Sequence, residues 1–154
     1  MNIRARVRRE DGAAAVEFAL IVGVLAMLIF GMLQFGLAFF QLQNLRAATR
    51  EGARAGAVGA SVAQVKAVTS AASLGALSVA DPAIGVTYWD GATAAAGTCP
   101  PKDQQNTSSQ VRVAVDIKKA SLGLQNIFVV DIPLMPPIHL ENATISGAFR
   151  CEGN

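Results

Sequence analysis

The hydrophobic residues of this chain are concentrated near its N-terminus. The 28 residues from Phe18 to Leu45 carry no charge. A helix needs about 20 apolar residues to cross the hydrocarbon core of a bilayer, and Phe18 to Phe40 supplies 23. A cleaved secretory signal has an apolar region of only about 7–15 residues, so the pattern predicts a membrane anchor. The alternative is a buried core helix, although a domain of this size could hardly cover one on all sides.

The helix is expected to extend beyond the membrane, because the residues from Ala13 to about Ala60 have helical character and include no proline. Two sets of residues recur every four positions, so each set shares one face of the helix. The basic set is Arg46, Arg50 and Arg54, and the small set, about 200° away around the helix, is Ala48, Gly52, Gly56 and Ala60. A face without large side chains lets another backbone approach closely, which predicts a packing surface. A general bias towards Ala and Gly in the composition is the alternative.

A second, shorter helix is predicted in the middle of the chain. Ser61 is a residue type that favours the N-cap position. Apolar residues at helical spacing follow it, namely Val62, Val65, Val68 and Ala72. The helix is expected to end at Gly75 or at Asp81-Pro82.

Three later segments have the residue pattern of β-strands. They are Ile84–Trp89, which is β-branched and aromatic, Gln110–Lys118, which alternates apolar and polar residues, and Ala143–Glu152. Between them we expect a turn at Asp90-Gly91, a polar loop over Ala92–Ser109, and a covering segment or wide connection over the proline-broken Ser121–Leu140. The predicted fold is α+β: a long N-terminal transmembrane helix that continues outside the membrane, a second short helix and a small antiparallel β-sheet.

Composition and motifs argue against several classes of function. The net charge is +2 and the basic residues are not interleaved with aromatic ones, so nothing predicts a nucleic-acid partner. His139 is the only histidine, and neither metal-ligand spacing nor a known nucleophile or phosphate-loop motif is present. We therefore expect no enzyme activity, no catalytic residue, no metal site and no cofactor.

Charge and cysteine content bear on orientation. Four arginines precede the apolar run, at positions 4, 6, 8 and 9, and three follow it closely, at positions 46, 50 and 54. This is a small bias towards a cytoplasmic N-terminus. Cys99 and Cys151 are the only cysteines and both follow the run. A disulfide pair would suit an oxidising compartment, and two free thiols are the alternative. The C-terminal part is accordingly expected to be extracytoplasmic.

A lone carboxylate lies at the start of the apolar run. Gly12 is followed by four small or apolar residues and then by Glu17, an order that resembles the type IV prepilin signal. The resemblance implies that a prepilin peptidase cuts between Gly12 and Ala13, so that Glu17 becomes the fifth residue of the mature chain. The N-terminal ammonium of one subunit could then neutralise the buried Glu17 of a neighbour. Alternatively, Glu17 lies at headgroup level and snorkels, and Gly12 is a plain helix-start residue.

Two further motifs narrow the resemblance. Val16–Ala19 reads Val-Glu-Phe-Ala and Glu51–Arg54 reads Glu-Gly-Ala-Arg, and together they resemble the TadE/TadG-like proteins of the tight-adherence (Flp) pilus system over about the first 60 residues. The chain length favours the TadE-like, pseudopilin type. The resemblance implies an assembly role for Glu17 and Phe18, and one disulfide between Cys99 and Cys151, as type IV pilins often have.

The resemblance also implies an organisation, a location and partners. Residues 1–12 would be a leader, 13–60 the transmembrane and extended helix, and 61–154 an extracytoplasmic α+β domain. The protein would be a minor pilin or pseudopilin, single-pass in the bacterial inner membrane or carried into a surface pilus. Its expected partners are a prepilin peptidase, other pilins and pilus assembly proteins, and membrane lipid. The alternative is a membrane-anchored scaffold or binding protein that never enters a filament.

Overall fold

The computed structural model of the protein describes residues 3–120, 129–130, 137–139 and 143–152. Helix α1 spans Ile3–Ala57 and helix α2 spans Val62–Ala72. The strands are β1 (Ile84–Trp89), β2 (Ala94–Ala96), β3 (Gln110–Asp116), β4 (Val129–Val130), β5 (Ile138–His139) and β6 (Thr144–Arg150). The predicted α+β fold class is confirmed.

Helix α1 begins at Ile3, ahead of the predicted start at Ala13, and runs without a break past Gly12. It ends at Ala57, slightly earlier than expected, because the chain turns there in a Schellman motif. Gly59 has a positive φ of 87°. Its N–H donates to the Gly56 carbonyl at 3.2 Å, and the Ala60 N–H donates to the Ala55 carbonyl at 3.2 Å.

Residues 12–37 of α1 are exposed or only partly buried. The helix is long and apolar enough to cross a membrane, and its most apolar stretch has 0% of its residues buried inside the protein. Phe18 and Met32, for example, expose 68% and 78% of their surface. The alternative of a buried core helix is therefore wrong.

The C-terminal part of α1 belongs to the hydrophobic core. Its buried residues share the face that turns towards the sheet and α2: Ala38, Leu45, Ala48, Thr49, Ala53 and Ala57. This end of α1 contacts α2, β3 and β6. The long helix and the rest of the fold are thus joined by shared packing, and not only by the chain connection at Gly59.

The main sheet has four antiparallel strands in the order β2-β1-β3-β6. On the central strand β3, Val111, Val113 and Val115 are fully buried against the helices, while Arg112 between them is exposed. In the register between β3 and β6, Val113 pairs with Gly147 and Val115 with Ile145. One face of the sheet therefore carries the helices, as the alternation in the sequence predicted.

Helix α2 begins as predicted and ends early. Ser61 and Gln64 form a capping box, with Gln64 N–H donating to Ser61 Oγ at 3.3 Å. The helix stops at Ala72, before Gly75, because Ser73 Oγ donates to the Ser70 carbonyl at 2.7 Å and accepts the Leu77 N–H at 3.0 Å. The serine side chain thus closes a turn in place of the next helical hydrogen bonds.

The strand predictions differ from the structure mainly at the edges. The strand Ile84–Trp89 has the predicted bounds, and Gln110–Lys118 is shortened because Ile117–Lys119 forms a 3-10 turn. Strand β2 lies in the segment predicted as a polar loop. Within the predicted covering segment, Ser121–Leu140, β4 pairs with β5. Apart from these two strands and Pro137, the segment lies outside the described residues.

Candidate functional site

The residues of the N-terminal motif face away from the rest of the chain. Glu17 is exposed on α1 and has no hydrogen-bond or ionic partner among the residues that the structure describes. A Cβ atom added at Gly12 would have no atom within 4 Å. Phe18 also projects from the helix. These residues are therefore accessible, on the uncovered part of α1, to a peptidase, a lipid or a neighbouring subunit.

The Glu-Gly-Ala-Arg motif divides between two surfaces of α1. Its charged residues are exposed and form an ion pair, with Arg54 Nη2 at 2.9 Å from Glu51 Oε1 and Arg54 Nε at 3.3 Å from Glu51 Oε2. Its small residues, Gly52 and Ala53, are buried. An exposed ion pair contributes little stability, so the packing of the two small residues is the structural part of the motif.

The stripe of small residues packs inside the chain. Ala48 is fully buried, and a Cβ atom on Gly52 would collide with Oγ1 of Thr69 on α2. A Cβ atom on Gly56 would lie 3.1 Å from Val111 Cγ2 on β3. The smooth face is therefore covered by side chains of the chain's own α2 and sheet, and not by another backbone. Ala60, the fourth residue of the stripe, lies beyond the end of α1 and is partly buried.

Strand β6 crosses α1 at a position that the sequence did not mark as a site. A Cβ atom on Gly147 would lie 2.8 Å from the carbonyl carbon and oxygen of Thr49 and from the nitrogen of Arg50. Backbone atoms of a helix cannot move aside as a flexible side chain can. Thr49 itself is buried, with its hydroxyl donating to the Arg46 carbonyl at 3.1 Å. The glycine therefore permits direct strand-to-helix contact.

The two cysteines join the loop before β3 to the residues that follow β6. Cys99 and Cys151 form a disulfide with a Cα–Cα distance of 5.7 Å. Next to it, the Cys151 N–H donates to the Ser109 carbonyl at 2.9 Å, and the Glu152 N–H donates to the Ala57 carbonyl at 3.1 Å. The last residues of β6 thus meet the last turn of the long helix.

Chemistry at a metal centre is not indicated in the described part of the chain, where no group of three or more His, Cys, Asp or Glu residues could hold an ion. The arrangement instead combines an uncovered apolar helix with a small domain packed tightly on its C-terminal end.

Both motifs on α1 lie within a segment that is similar to a known family. The family model described as TadE-like protein matches residues 12–54. The N-terminal segment of this chain is TadE-like. The match begins at Gly12 and ends at Arg54, so the TadE-like segment contains both the exposed Val-Glu-Phe-Ala motif and the half-buried Glu-Gly-Ala-Arg motif. No curated protein and no solved structure shows significant similarity to the chain.

The TadE-like segment coincides with one structural unit. It covers α1 from Gly12 almost to its end at Ala57, including the apolar stretch that could cross a membrane and the turns that contact α2 and the sheet. A TadE-like segment on such a helix fits a single-pass membrane protein related to the Tad pilus. The TadE-like family is not a family of enzymes.

Proposed function

We propose that the protein is a TadE-like minor pilin or pseudopilin in the assembly of a tight-adherence pilus. Helix α1 anchors it in the bacterial inner membrane, and the domain from residue 61 onwards lies outside the cytoplasm. A prepilin peptidase removes residues 1–12. The processed protein then associates with other pilins and pilus assembly proteins and is carried into the filament or supports its assembly.

The observation that carries the proposal is the TadE-like match on a helix whose apolar run begins beside Glu17, a carboxylate with no partner among the described residues. The match begins at Gly12, and Glu17 lies about 7.5 Å further along the helix, at 1.5 Å per residue. A carboxylate in the apolar phase of a membrane costs several kcal/mol unless it is paired. A positively charged N-terminus created at Ala13 in a neighbouring subunit would supply that pair.

The disulfide supports the proposed orientation. Disulfides persist in oxidising compartments and are rare in the bacterial cytoplasm, and Cys99 and Cys151 both follow the apolar stretch. A domain held by this bond is expected on the periplasmic side of the inner membrane.

Processing at Gly12 is tested by the intact mass of the protein extracted from membranes of cells that contain the cognate prepilin peptidase. We expect a chain of 142 residues that starts at Ala13, which is the 154 residues of the sequence less the 12 of the leader. Gly12→Val should leave only the full-length chain, because an active site that grips the backbone closely has no room for the side chain.

The control for this substitution is Gly23→Val, since Gly23 also lies on the uncovered part of α1 with no atom within 4 Å of an added Cβ. It should be processed normally. A full-length wild-type chain in peptidase-containing cells would refute processing and favour the alternative, a membrane-anchored scaffold that never enters a filament.

A further inference from the structure

A groove of about 560 Å³ lies between α1 and the beginning of β6. Along its α1 wall, Phe35, Phe39 and Leu42 are followed by Arg46 and Arg50. Their spacing of three or four residues places them on one face of the helix. The groove therefore changes from aromatic and aliphatic to basic along the direction of α1.

The opposite wall is the start of strand β6. Thr144 and Ser146 are exposed there and Ile145 is buried between them. Side chains alternate across a strand, so Ile145 faces α1 while Thr144 and Ser146 face the other side of the sheet, where Ser146 Oγ accepts a hydrogen bond from Arg112 at 2.9 Å. The wall thus supplies one apolar side chain to the groove.

The two arginines of the groove have no partner in the part of the chain that the structure describes. Both are exposed, and neither forms an ion pair or a side-chain hydrogen bond with a described residue. The arginines that follow Arg50 each have a hydrogen-bond partner: Arg54 bonds to Glu51, Arg112 to Ser146 and Arg150 to the Thr107 carbonyl. The groove therefore presents positive charge that no described carboxylate neutralises.

The depth of Arg46 matches the surface of a membrane spanned by α1, and Arg50 lies about one helical turn further out. Arg46 follows Phe40, the last residue of the apolar run, by six residues, or about 9 Å along the helix axis. The headgroup layer is about 5–7 Å thick on each side of the hydrocarbon core. Because side chains on a helix lean towards its N-terminus, the guanidinium of Arg46 reaches back towards the headgroups. The aromatic part of the groove then lies in the hydrocarbon.

We propose that this groove binds one anionic phospholipid of the surrounding leaflet. Arg46 and Arg50 bind the phosphate, and an acyl chain lies along Phe35 and Phe39. The negative charge of the lipid headgroup complements the two arginines. The apolar acyl chain and the anionic headgroup follow one another in the same order as the aromatic and basic parts of the groove. The proposal rests on the membrane placement of α1 and not on a role in a pilus.

The test is native mass spectrometry of the full-length protein, delipidated in detergent and then titrated with dioleoylphosphatidylglycerol or dioleoylphosphatidylcholine. We expect one phosphatidylglycerol per chain to be retained in preference to phosphatidylcholine. Each basic residue near an anionic surface contributes about fivefold in affinity, so Arg46→Gln/Arg50→Gln should weaken retention about 25-fold. Phe39→Ser should weaken it while leaving both charges in place.

The matched control is Lys66→Gln/Lys102→Gln, which removes the same charge from α2 and from the 3-10 turn at Lys102–Gln104, outside the groove. It should retain the lipid like the wild type, and thermal unfolding of each variant shows whether its fold is intact. Equal retention of the two lipids, or equal losses in the two double variants, would overturn the proposal in favour of a nonspecific lipid layer.

Two further outcomes would also overturn it. If glycerol 1-phosphate saturated the groove as effectively as the whole lipid does, only the phosphate group would be recognised. A dimer that excludes phosphatidylglycerol, and that Phe39→Ser dissociates, would show that a second copy of the chain occupies the groove. None of these results depends on whether the leader is cleaved or pili form.

Discussion

Single residues of α1 divide into those that face the rest of the chain and those that face away from it. In the Glu-Gly-Ala-Arg motif this division occurs within four residues, because Gly52 and Ala53 are buried while Glu51 and Arg54 pair on the surface. Glu17 is in the second group, exposed and without a partner among the described residues. We therefore propose that its role lies in contacts with a neighbouring subunit.

Replacement of Glu17 is expected to affect assembly and not folding. Glu17→Leu should leave the protein inserted in the membrane and its thermal unfolding unchanged, because the side chain contacts nothing in the described part of the chain. Piliation, counted by electron microscopy, should fall at least tenfold. Without the carboxylate, the N-terminal ammonium of the neighbouring subunit would enter the hydrocarbon unpaired, at a cost of about 2.5 kcal/mol or more, which exceeds a factor of ten in association.

The control is Gln43→Leu, which also replaces an exposed polar residue of α1 by leucine but removes no carboxylate. It should leave piliation unchanged. Normal piliation in the Glu17→Leu strain would contradict the assembly role of Glu17.

At the scale of elements, the main feature is the contact of β6 with α1. A strand and a helix usually meet through layers of side chains, but here Gly147 brings the strand against the helix backbone at Thr49. The disulfide and the Glu152 N–H then hold the end of β6 at the last turn of α1. The orientation of the small domain on the long helix is therefore determined along the whole length of one strand.

A methyl group at this contact should destabilise the protein. In Gly147→Ala the new Cβ would approach the helix backbone to 2.8 Å, and overpacking of this kind costs about 1–3 kcal/mol. We expect a lower melting temperature and faster proteolysis of the C-terminal domain in the full-length protein in detergent.

The control is Gly85→Ala on β1, where the nearest atom to an added Cβ is the Ala114 carbonyl oxygen at 3.8 Å. This variant should be neutral, or more stable by about 0.4–1 kcal/mol through the lower entropy of its unfolded chain. If the two variants melted at the same temperature, the close contact between β6 and α1 would not exist in solution.

The whole molecule is an apolar helix with a small domain closed by one covalent link. Cys99 and Cys151 are 52 residues apart along the chain, and closing a loop of that length removes about 4 kcal/mol of entropy from the unfolded state. That is a large fraction of the roughly 5–15 kcal/mol by which domains are stable. The disulfide is therefore expected to dominate the stability of the C-terminal end.

Reduction of the wild-type protein should lower its melting temperature by up to about 16 °C and expose the region of β6 to protease. In Cys99→Ser/Cys151→Ser the lower melting temperature should already be present, and added reductant should change nothing further. Labelling of the unreduced wild type with a thiol reagent checks the bond directly. Two reactive thiols per chain would contradict it, together with the orientation that it supports.

Elements with a strong local pattern were predictable from the sequence. The alternation of Val111, Arg112 and Val113 identifies β3, and the uncharged run identifies α1, because periodicity and length are local properties. Strand β2 has neither signal, since Ala94–Ala96 is exposed throughout. It forms because the turn at Asp90, where Oδ1 accepts the N–H groups of Ala92 and Thr93, returns the backbone to hydrogen-bond with β1.

The sequence by itself determined three features: the TadE-like segment, the apolar run of α1 with Glu17 at its start, and the inner face of the sheet. Only the tertiary structure decided which surface covers the small residues of α1, namely Thr69 of α2 and the valines of β3. It also decided that Gly147 meets Thr49, and that Arg46 and Arg50 border a groove. The reason is that these contacts join residues distant in the chain, and no pattern within one segment specifies its partner.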